Sequence, residues 1–387
     1  MGIQPFRQCE VLRWVEDDTA RAPNLPFAIS RAPFNFSAVI NTDNKLAEFI
    51  SRLRQAEWIA LDTEADSLYA YPEKLCVLQA SIVGADELID PLAKIDLAPL
   101  WPELRKHELI FHAADYDLRL LRKNHNFVPE KIFDTMLAAR LLGEKEFSLT
   151  NLVKNFLGVQ LEKGSQKADW AIRPLTEKME SYARNDTRYL KSLADLLRAK
   201  LEEKGRLQWH RESCARLIAD CTELPSGEIE SWRIKGSSKL GRMPLTVLRE
   251  LWHWREKEAI AANKPPYFIL SHEVIVEIAA ASGTARNWLD LLPRHLNSRR
   301  AQELERAVER GLAISPGEQP HIIHIVTPRP TEKEKRRFEE LSKRRDHAAQ
   351  QLQIDPTLIA SRATLGLLAQ DWEKHAKELM NWQRELL

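Results

Sequence analysis

Sequence patterns typical of β-strands stop near residue 205 of the 387-residue chain. The chain must therefore combine a region that contains strands with a region made of helices. Before residue 205, short apolar runs alternate with amphipathic helical patterns, whereas after it only helical periodicity continues. A group of strands followed by alternating strands and helices is typical of a mixed sheet flanked by helices. The sequence therefore predicts an α/β domain followed by all-α helical domains.

Two segments rich in glycine, proline and serine, 223–244 and 311–335, divide the helical part of the chain. Such compositions are typical of linkers and surface loops. Identities recur across them at an offset of 90 residues, as between Pro266 and Pro356, and favour a duplicated module over two unrelated amphipathic helices. The expected regions are an N-terminal extension (1–35), the α/β domain (36–205) and two helical domains (206–320 and 321–387).

The composition is that of an ordinary globular protein. The net charge is only +1, so any surface that attracts nucleic acid must be local. The 4 cysteines include no C-x-x-C pair, which argues against a disulfide framework or a zinc site and favours a reducing compartment. The sequence contains neither a signal-peptide pattern nor an apolar run of roughly 20 residues. We therefore expect a cytoplasmic protein without membrane contact, and we expect a monomer.

A pair of carboxylates ends the first strong strand pattern, WIALDTEA. Asp62 and Glu64 are two residues apart, so in a strand they face the same side. Two like charges so close require a compensating cation, and no Lys or Arg is near in sequence. Oxygen ligands of this kind suit a hard divalent ion such as Mg²⁺. A metal site is one interpretation, and a solvated strand end is the other.

Two later segments carry further acidic groups. In HAADYDLRLL, Asp115 and Asp117 lie where a strand meets a helix, so each is either a metal ligand or a helix-cap or first-turn acid. In YARNDTRYL, Tyr182 and Asp186 are four residues apart and share a helix face that we expect to continue through Leu190. An acid on a buried face needs a partner, either an arginine or a metal ion. A phenol beside it suggests a general acid or base.

The segments LDTEAD, FHAADYDLRLL and YARNDTRYL together resemble the three motifs of the ribonuclease D family, the tyrosine-containing branch of the DEDD 3′→5′ exonucleases. The helical units resemble HRDC domains. The resemblance begins near Phe36, is highly specific over the exonuclease half and is looser over the second helical unit. It implies an RNase H-like α/β fold for residues 36–205.

The same resemblance implies a metal site of four carboxylates with a neighbouring phenol. The second-motif acid of the family directly precedes the apolar run of its helix, which selects Asp117 and makes Asp115 the helix cap. The implied ligands are Asp62, Glu64, Asp117 and Asp186, with Tyr182 as the phenol. They imply two divalent metal ions, Mg²⁺ or Mn²⁺, while Tyr182 orients or deprotonates the attacking water.

The function that this resemblance implies is that of a 3′→5′ exoribonuclease that releases nucleoside 5′-monophosphates. Its implied substrates are RNAs with a single-stranded 3′ end, in particular tRNA precursors. A DNA-directed exonuclease of the same superfamily and a catalytically silent RNA-binding scaffold are the alternatives. The complete set of four acids and a phenol argues against the silent scaffold.

Four further residues are candidate contacts to the terminal nucleotides: Gln79, Lys163, Trp170 and Arg173. Gln79 lies on the strand beside the acid pair, and the other three lie in a basic loop before the third motif. Cationic contacts to phosphate and stacking on an aromatic ring suit a single-stranded 3′ end. The alternative is a solvated charged loop that Trp170 anchors to the core.

Arginine clusters in both helical units are candidate contacts to the body of a structured RNA. The first cluster contains Arg294, Arg299, Arg300, Arg306 and Arg310. The second lies between Lys333 and Arg345 and is interleaved with glutamates, so a self-paired surface is favoured there.

Overall fold

The computed structural model describes residues 38–162, 164–223, 230–282, 284, 287–293, 296–323 and 329–387. Ser37–Leu387 form one compact unit, and the expected N-terminal extension lies outside the described residues. None of the described helices combines the length and the apolar character that crossing a membrane requires.

A five-stranded mixed sheet forms the centre of the first half of the chain, in the order β3-β2-β1-β4-β5. Its strands are β1 (Ile59–Ala65), β2 (Leu75–Ile82), β3 (Ala85–Ile89), β4 (Glu108–Phe111) and β5 (Lys131–Asp134). The β1–β2 and β2–β3 pairs are antiparallel, whereas β1–β4 and β4–β5 are parallel. The predicted mixed α/β architecture is therefore confirmed.

Helices cover both faces of the sheet, because side chains along each strand alternate between its two sides. In β1, Ile59 and Leu61 join one apolar core and Ala60 joins another. The first core packs against α1 (Asp43–Leu53), α2 (Leu100–Arg105), α3 (Asp115–His125) and α8 (Leu207–Thr222). The opposite face packs against α4 (Thr135–Leu142), α5 (Leu149–Leu157), α6 (Glu177–Arg188) and α7 (Leu190–Glu203).

The helix expected to run through the third motif is divided at Tyr189, where α6 ends and α7 begins. The α6 helix packs over β1, β2 and β3, whereas α7 packs against α4 and β4. One straight axis cannot follow both surfaces, so the chain changes direction. The prediction of one continuous helix is therefore wrong, and Asp186 lies close to the end of α6.

Each helical unit begins with a long helix, a four-residue helix that starts with proline, and a third helix of about ten residues. The first contains α9 (Arg242–Ala262), α10 (Pro266–Ile269), α11 (His272–Ser282) and α12 (Ser298–Ala313). The second contains α13 (Glu332–Leu352), α14 (Pro356–Ile359), α15 (Arg362–Gln370), α16 (Trp372–His375) and α17 (Asn381–Glu385). In both units a residue with positive φ, Asn263 or Gln353, ends the long helix. The corresponding helices begin 90 residues apart, the same offset as the identities in the sequence.

The helical units contact the first half of the chain at different places. The first meets the loop after β1, where the Tyr71 hydroxyl donates to Glu256. The second shares an apolar core with α4, α5 and α7. There the rings of Trp209 and Trp382 stack with centroids 5.1 Å apart, and Arg206 donates to the carbonyls of Leu141 and Leu352.

Candidate active site

The acid pair of β1 faces α6, which carries the third acid across the strand. One oxygen atom from each of Asp62, Glu64 and Asp186 lies within 4.8 Å of the other two. Asp62 and Glu64 share a face because they are two residues apart in the strand. The first and third motifs are therefore brought together by the packing of α6 on β1.

The second motif reaches the same place from the other side of the sheet. Because β1 and β4 are parallel, their carboxyl ends meet at one edge, and α3 begins there after β4. Asp117 is 5% exposed and accepts a hydrogen bond of 2.5 Å from the Thr63 hydroxyl, between the acids of the pair. Asp115 is exposed, and the α3 N-cap is Ala114, which makes no side-chain cap. The expectation that Asp115 caps this helix is therefore wrong.

Burial raises the pKa of every acid in the group, and repulsion by neighbouring carboxylates adds to this effect. The pKa of Asp62 is well above its usual range because of burial and then the charges of Asp117, Asp186 and Glu64. Burial and the same kind of repulsion raise the pKa of Glu64 to about 9. The pKa values of Asp117 and Asp186 rise to about 7, mainly through burial. Such an uncompensated set of carboxylate oxygens fits hard divalent cations, Mg²⁺ or Mn²⁺.

Tyr182 lies one helical turn before Asp186 on α6, close enough for the two side chains to shift each other's pKa. Burial and the nearby acids raise the pKa of the phenol above its usual value. Its ring is 6.1 Å from Trp170, centroid to centroid. On another side it meets Gly164, where a Cβ atom would lie 2.0 Å from the Tyr182 ring. Gly164 was absent from the sequence-based candidates, although a glycine in a charged loop is itself a signal of close approach.

Asp134 is a second residue that sequence reasoning missed. It is buried, and its two oxygens accept from Ala114 N (2.8 Å) and Leu137 N (2.9 Å). It thereby caps α4 and also holds the turn that leads into α3, in which Ala113 has φ of +59°. Its charge also raises the pKa of Asp117. The available signal was an acid between a strand pattern and a helical pattern, in IFDTML.

Three of the candidate nucleotide contacts are described, and two of them, Gln79 and Trp170, are enclosed by protein. Gln79 is opposite Asp62 in the β1–β2 pair and is 0% exposed, and neither atom of its amide has a hydrogen-bond partner among the described residues. Trp170 is 1% exposed and lies in a core under the loop. This burial agrees with the alternative interpretation, in which Trp170 anchors the loop to the core.

Arg173 is held by its own loop and by β2. It makes two hydrogen bonds of 2.7 Å to Asp90 and further ones to the carbonyls of Trp170, Ile172 and Cys76. Its donors are thus used to fix the loop. Lys163 lies outside the described residues.

The arginines of the first helical unit are paired with glutamates. Arg299 and Arg300 both donate to Glu258, at distances of 2.5 to 3.0 Å. Arg306 pairs with Glu303 at 2.7 Å, and Arg310 pairs with Glu250 at 3.4 Å. Arg294 lies outside the described residues. The described arginines of this first cluster are therefore self-paired, although the sequence favoured self-pairing only for the second unit.

Known families and relatives match the chain over both halves. A family model described as 3′-5′ exonuclease matches residues 37–202, and an HRDC domain model matches residues 245–289. Ribonuclease D of Gluconacetobacter diazotrophicus is 35% identical over 259 residues, which are 65% of each chain. Ribonuclease D of Jannaschia sp. is 30% identical over 297 residues, which are 73% of this chain and 76% of that protein.

A solved structure matches over nearly the whole chain. Escherichia coli RNase D, an exoribonuclease involved in structured RNA processing, has a TM-score of 0.73 at 25% identity, and the match covers 91% of this chain and 96% of that one. The sequence matches are shorter: the chain spans slightly less than two thirds of the Gluconacetobacter protein, 65%, and 59% of ribonuclease D from Bartonella henselae.

Proposed function

The chain belongs to the ribonuclease D family, and from this membership we propose that it is a metal-dependent 3′→5′ exoribonuclease. The observation that carries the proposal is the convergence of Asp62, Glu64 and Asp186 within 4.8 Å, with Asp117 close enough to raise the pKa of Asp62. The reaction is hydrolysis of the 3′-terminal phosphodiester, with release of a nucleoside 5′-monophosphate.

The residues that would hold two divalent ions, Mg²⁺ or Mn²⁺, are Asp62, Glu64, Asp117 and Asp186. When bound, such ions supply an activated water and offset the charge that develops on the phosphate oxygens. The protein contributes a fixed set of oxygens: Thr63 holds Asp117 by a hydrogen bond. Asp134 holds the turn before the helix that carries Asp117.

Tyr182 is proposed to orient the attacking water by a hydrogen bond. Its side chain is near Asp186, and its ring lies against Gly164 with its centroid 6.1 Å from that of Trp170. Gln79 is proposed to support Asp62 from the neighbouring strand and not to contact a nucleotide. Its side chain has no exposed surface, and the residue lies opposite Asp62 in the sheet.

The proposed substrate is RNA with a single-stranded 3′ end, and tRNA precursors follow from family membership. A single strand suits the site because a 3′-terminal phosphodiester must leave a duplex before four carboxylates can surround it. The helical units are proposed to hold the body of such an RNA, with Lys163 as a further contact near its 3′ end.

The decisive experiment is digestion of a 5′-labelled single-stranded RNA by the full chain. With Mn²⁺ we expect stepwise shortening from the 3′ end and nucleoside 5′-monophosphate products, and with EDTA we expect none. Asp186→Asn should lower the rate at least about 100-fold, because one ligand of the metal site is lost. The matched control is Asp195→Asn, an exposed aspartate paired with Lys191 on the next helix.

Internal cleavage, or an Asp186→Asn variant as active as Asp195→Asn, would contradict the proposal. A DNA strand of the same sequence, digested in parallel, separates the DNA-directed alternative, which requires DNA to be degraded faster than RNA. Binding of RNA without any metal-dependent cleavage would favour the silent scaffold.

A further inference from the structure

Two adjacent aromatic side chains are exposed on the short helix α10 of the first helical unit. Tyr267 is 53% exposed and Phe268 is 52% exposed. Their ring centroids are 4.3 Å apart, so the rings form one continuous apolar surface. Single exposed apolar residues are normal, but a contiguous aromatic surface marks an interaction site.

The duplicated unit shows that the helical fold does not require this pair. At the offset of 90 residues the second unit has Thr357 and Leu358, on α14, which has the same length and the same initial proline as α10. Leu358 packs against the apolar core of that unit, and Thr357 is exposed. The helix forms with either pair of residues, so the exposed rings of the first unit are not required for this helix to form.

The aromatic pair adjoins the candidate active site. The Tyr267 hydroxyl donates a long hydrogen bond of 3.5 Å to the carbonyl of Leu68, in the loop that follows β1. Leu68 is 45% exposed and Tyr69 is 37% exposed. Leu68 is four residues after Glu64, so their Cα atoms are at most about 14 Å apart. We refer to Leu68, Tyr69, Tyr267 and Phe268 as the aromatic platform.

Contacts on both sides of the platform hold it against the site. The Tyr69 hydroxyl donates to the carbonyl of Lys167 (2.6 Å), in the loop that also contributes Gly164 next to Tyr182. Two residues beyond Tyr69, the Tyr71 side chain donates to Glu256 and its backbone N–H donates to Asn263 (3.4 Å). The loop after β1 is therefore fixed both to the active-site loop and to the first helical unit.

We propose that the aromatic platform stacks the bases of the single-stranded segment immediately 5′ of the nucleotides in the active site. This inference rests on the proposed exonuclease function. The occupant follows from continuity: a strand whose 3′ end reaches Glu64 must pass within a few nucleotides of Leu68. The platform residues carry no formal charge, so stacking is the recognition they offer, and stacking requires unpaired bases.

The test exchanges the aromatic pair for the residues of the second unit, in the full chain. The variant Tyr267→Thr/Phe268→Leu and the wild type are titrated with a 5′-fluorescein ten-nucleotide single-stranded RNA in EDTA, followed by fluorescence anisotropy. We expect about tenfold weaker binding, the size typical of one lost stacking contact. The dependence of affinity on salt should stay the same, because no phosphate contact is removed. With Mn²⁺, KM for the same RNA should rise about tenfold.

A matched control changes an exposed apolar residue at the other end of the same unit. Leu312 is 41% exposed, and its neighbour Gly311 packs on Val247, which is roughly 24 Å along α9 from Asn263. Leu312→Thr should bind as the wild type does. The single variant Phe268→Leu, which keeps the Tyr267 contact to Leu68, should lose part of the affinity and guards against misfolding of the double variant.

The outcomes separate the platform from the exonuclease activity. If the wild type degrades RNA and the exchanged variant binds it equally tightly, the platform is overturned and the aromatic pair is left as a contact for another protein. A weaker salt dependence in the variant would also overturn stacking. The proposed function itself fails if the wild type, with Mn²⁺, hydrolyses neither RNA nor the p-nitrophenyl ester of thymidine 5′-monophosphate.

Discussion

Glu64 lowers the stability of the metal-free protein because its carboxylate is buried beside the other acids of the proposed metal site. Its folded-state pKa of about 9 lies above its ordinary value, so in the metal-free protein its favourable contribution is present below pH 4.5 and is lost as pH rises toward 9. Glu64→Gln cannot ionise. We therefore expect the metal-free variant to gain stability over the wild type between pH 5 and pH 8, by on the order of 2 kcal/mol.

Urea unfolding in EDTA at the two pH values measures this difference, and Mn²⁺ should reverse it by stabilising only the wild type. Glu48→Gln, which removes a carboxylate at an exposed position of α1, is the matched control. An advantage of Glu64→Gln that did not grow with pH would mean that the carboxylate is compensated by another group.

At the same scale, the proposed metal-binding acids could be selected from the sequence because short motifs set their spacing. The roles of Trp170 and Arg173 could not, because they depend on distant partners. Arg173 is fixed by Asp90, which lies 83 residues earlier in the chain. Asp115 and Asp117 looked alike for a related reason: burial, which distinguishes them, arises only when α3 docks on the sheet.

At the scale of elements, the loop that contains Gly164 limits the position of the Tyr182 ring on α6. Gly164→Ala would place a methyl group on the Tyr182 ring, and we expect kcat on single-stranded RNA to fall about 10- to 100-fold, because small displacements at a reacting centre are costly. The control is Gly317→Ala, where a Cβ meets nothing within 4 Å. In a Tyr182→Phe background the same change should add little, whereas additive losses would show that the loop acts elsewhere.

The break at Tyr189 is the element that sequence periodicity could not predict. Apolar positions continue in helical phase across it, and Tyr189 itself is compatible with a helix. The direction of each half is set by what it covers: α6 lies over the antiparallel strands and α7 over the parallel ones. Strand and helix types were predicted well where the pattern was local, and poorly where tertiary packing redirected the chain.

At the scale of the whole molecule, the second helical unit completes an apolar core of the first half of the chain. Trp382 is 2% exposed in the core that also holds residues of α4, α5 and α7. Trp382→Ala should destabilise the full chain by about 3–5 kcal/mol. The helical circular dichroism signal and the RNA hydrolysis activity should then be lost together in one thermal transition. This transition should occur at a lower temperature than in the wild type.

Leu367→Ala, a truncation at a 43% exposed position of the same unit, is the control and should have little effect. Separate transitions for activity and helix content would instead show an independent C-terminal domain. The duplication could be predicted from the sequence because identical residues recur at an offset of 90. The sequence did not predict that the second copy faces the apolar core of the first half, because an amphipathic helix does not specify its partner.

This shared core has a consequence for synthesis on the ribosome. Asp186 and Trp382 are far apart in the chain but belong to halves that complete each other. At 5–20 residues per second, roughly 10–40 s separate their translation. During that interval the first half of the chain already carries all four acids, but the apolar surface that the second helical unit covers is open. The order of translation therefore delays completion of the shared core until α17 has left the exit tunnel.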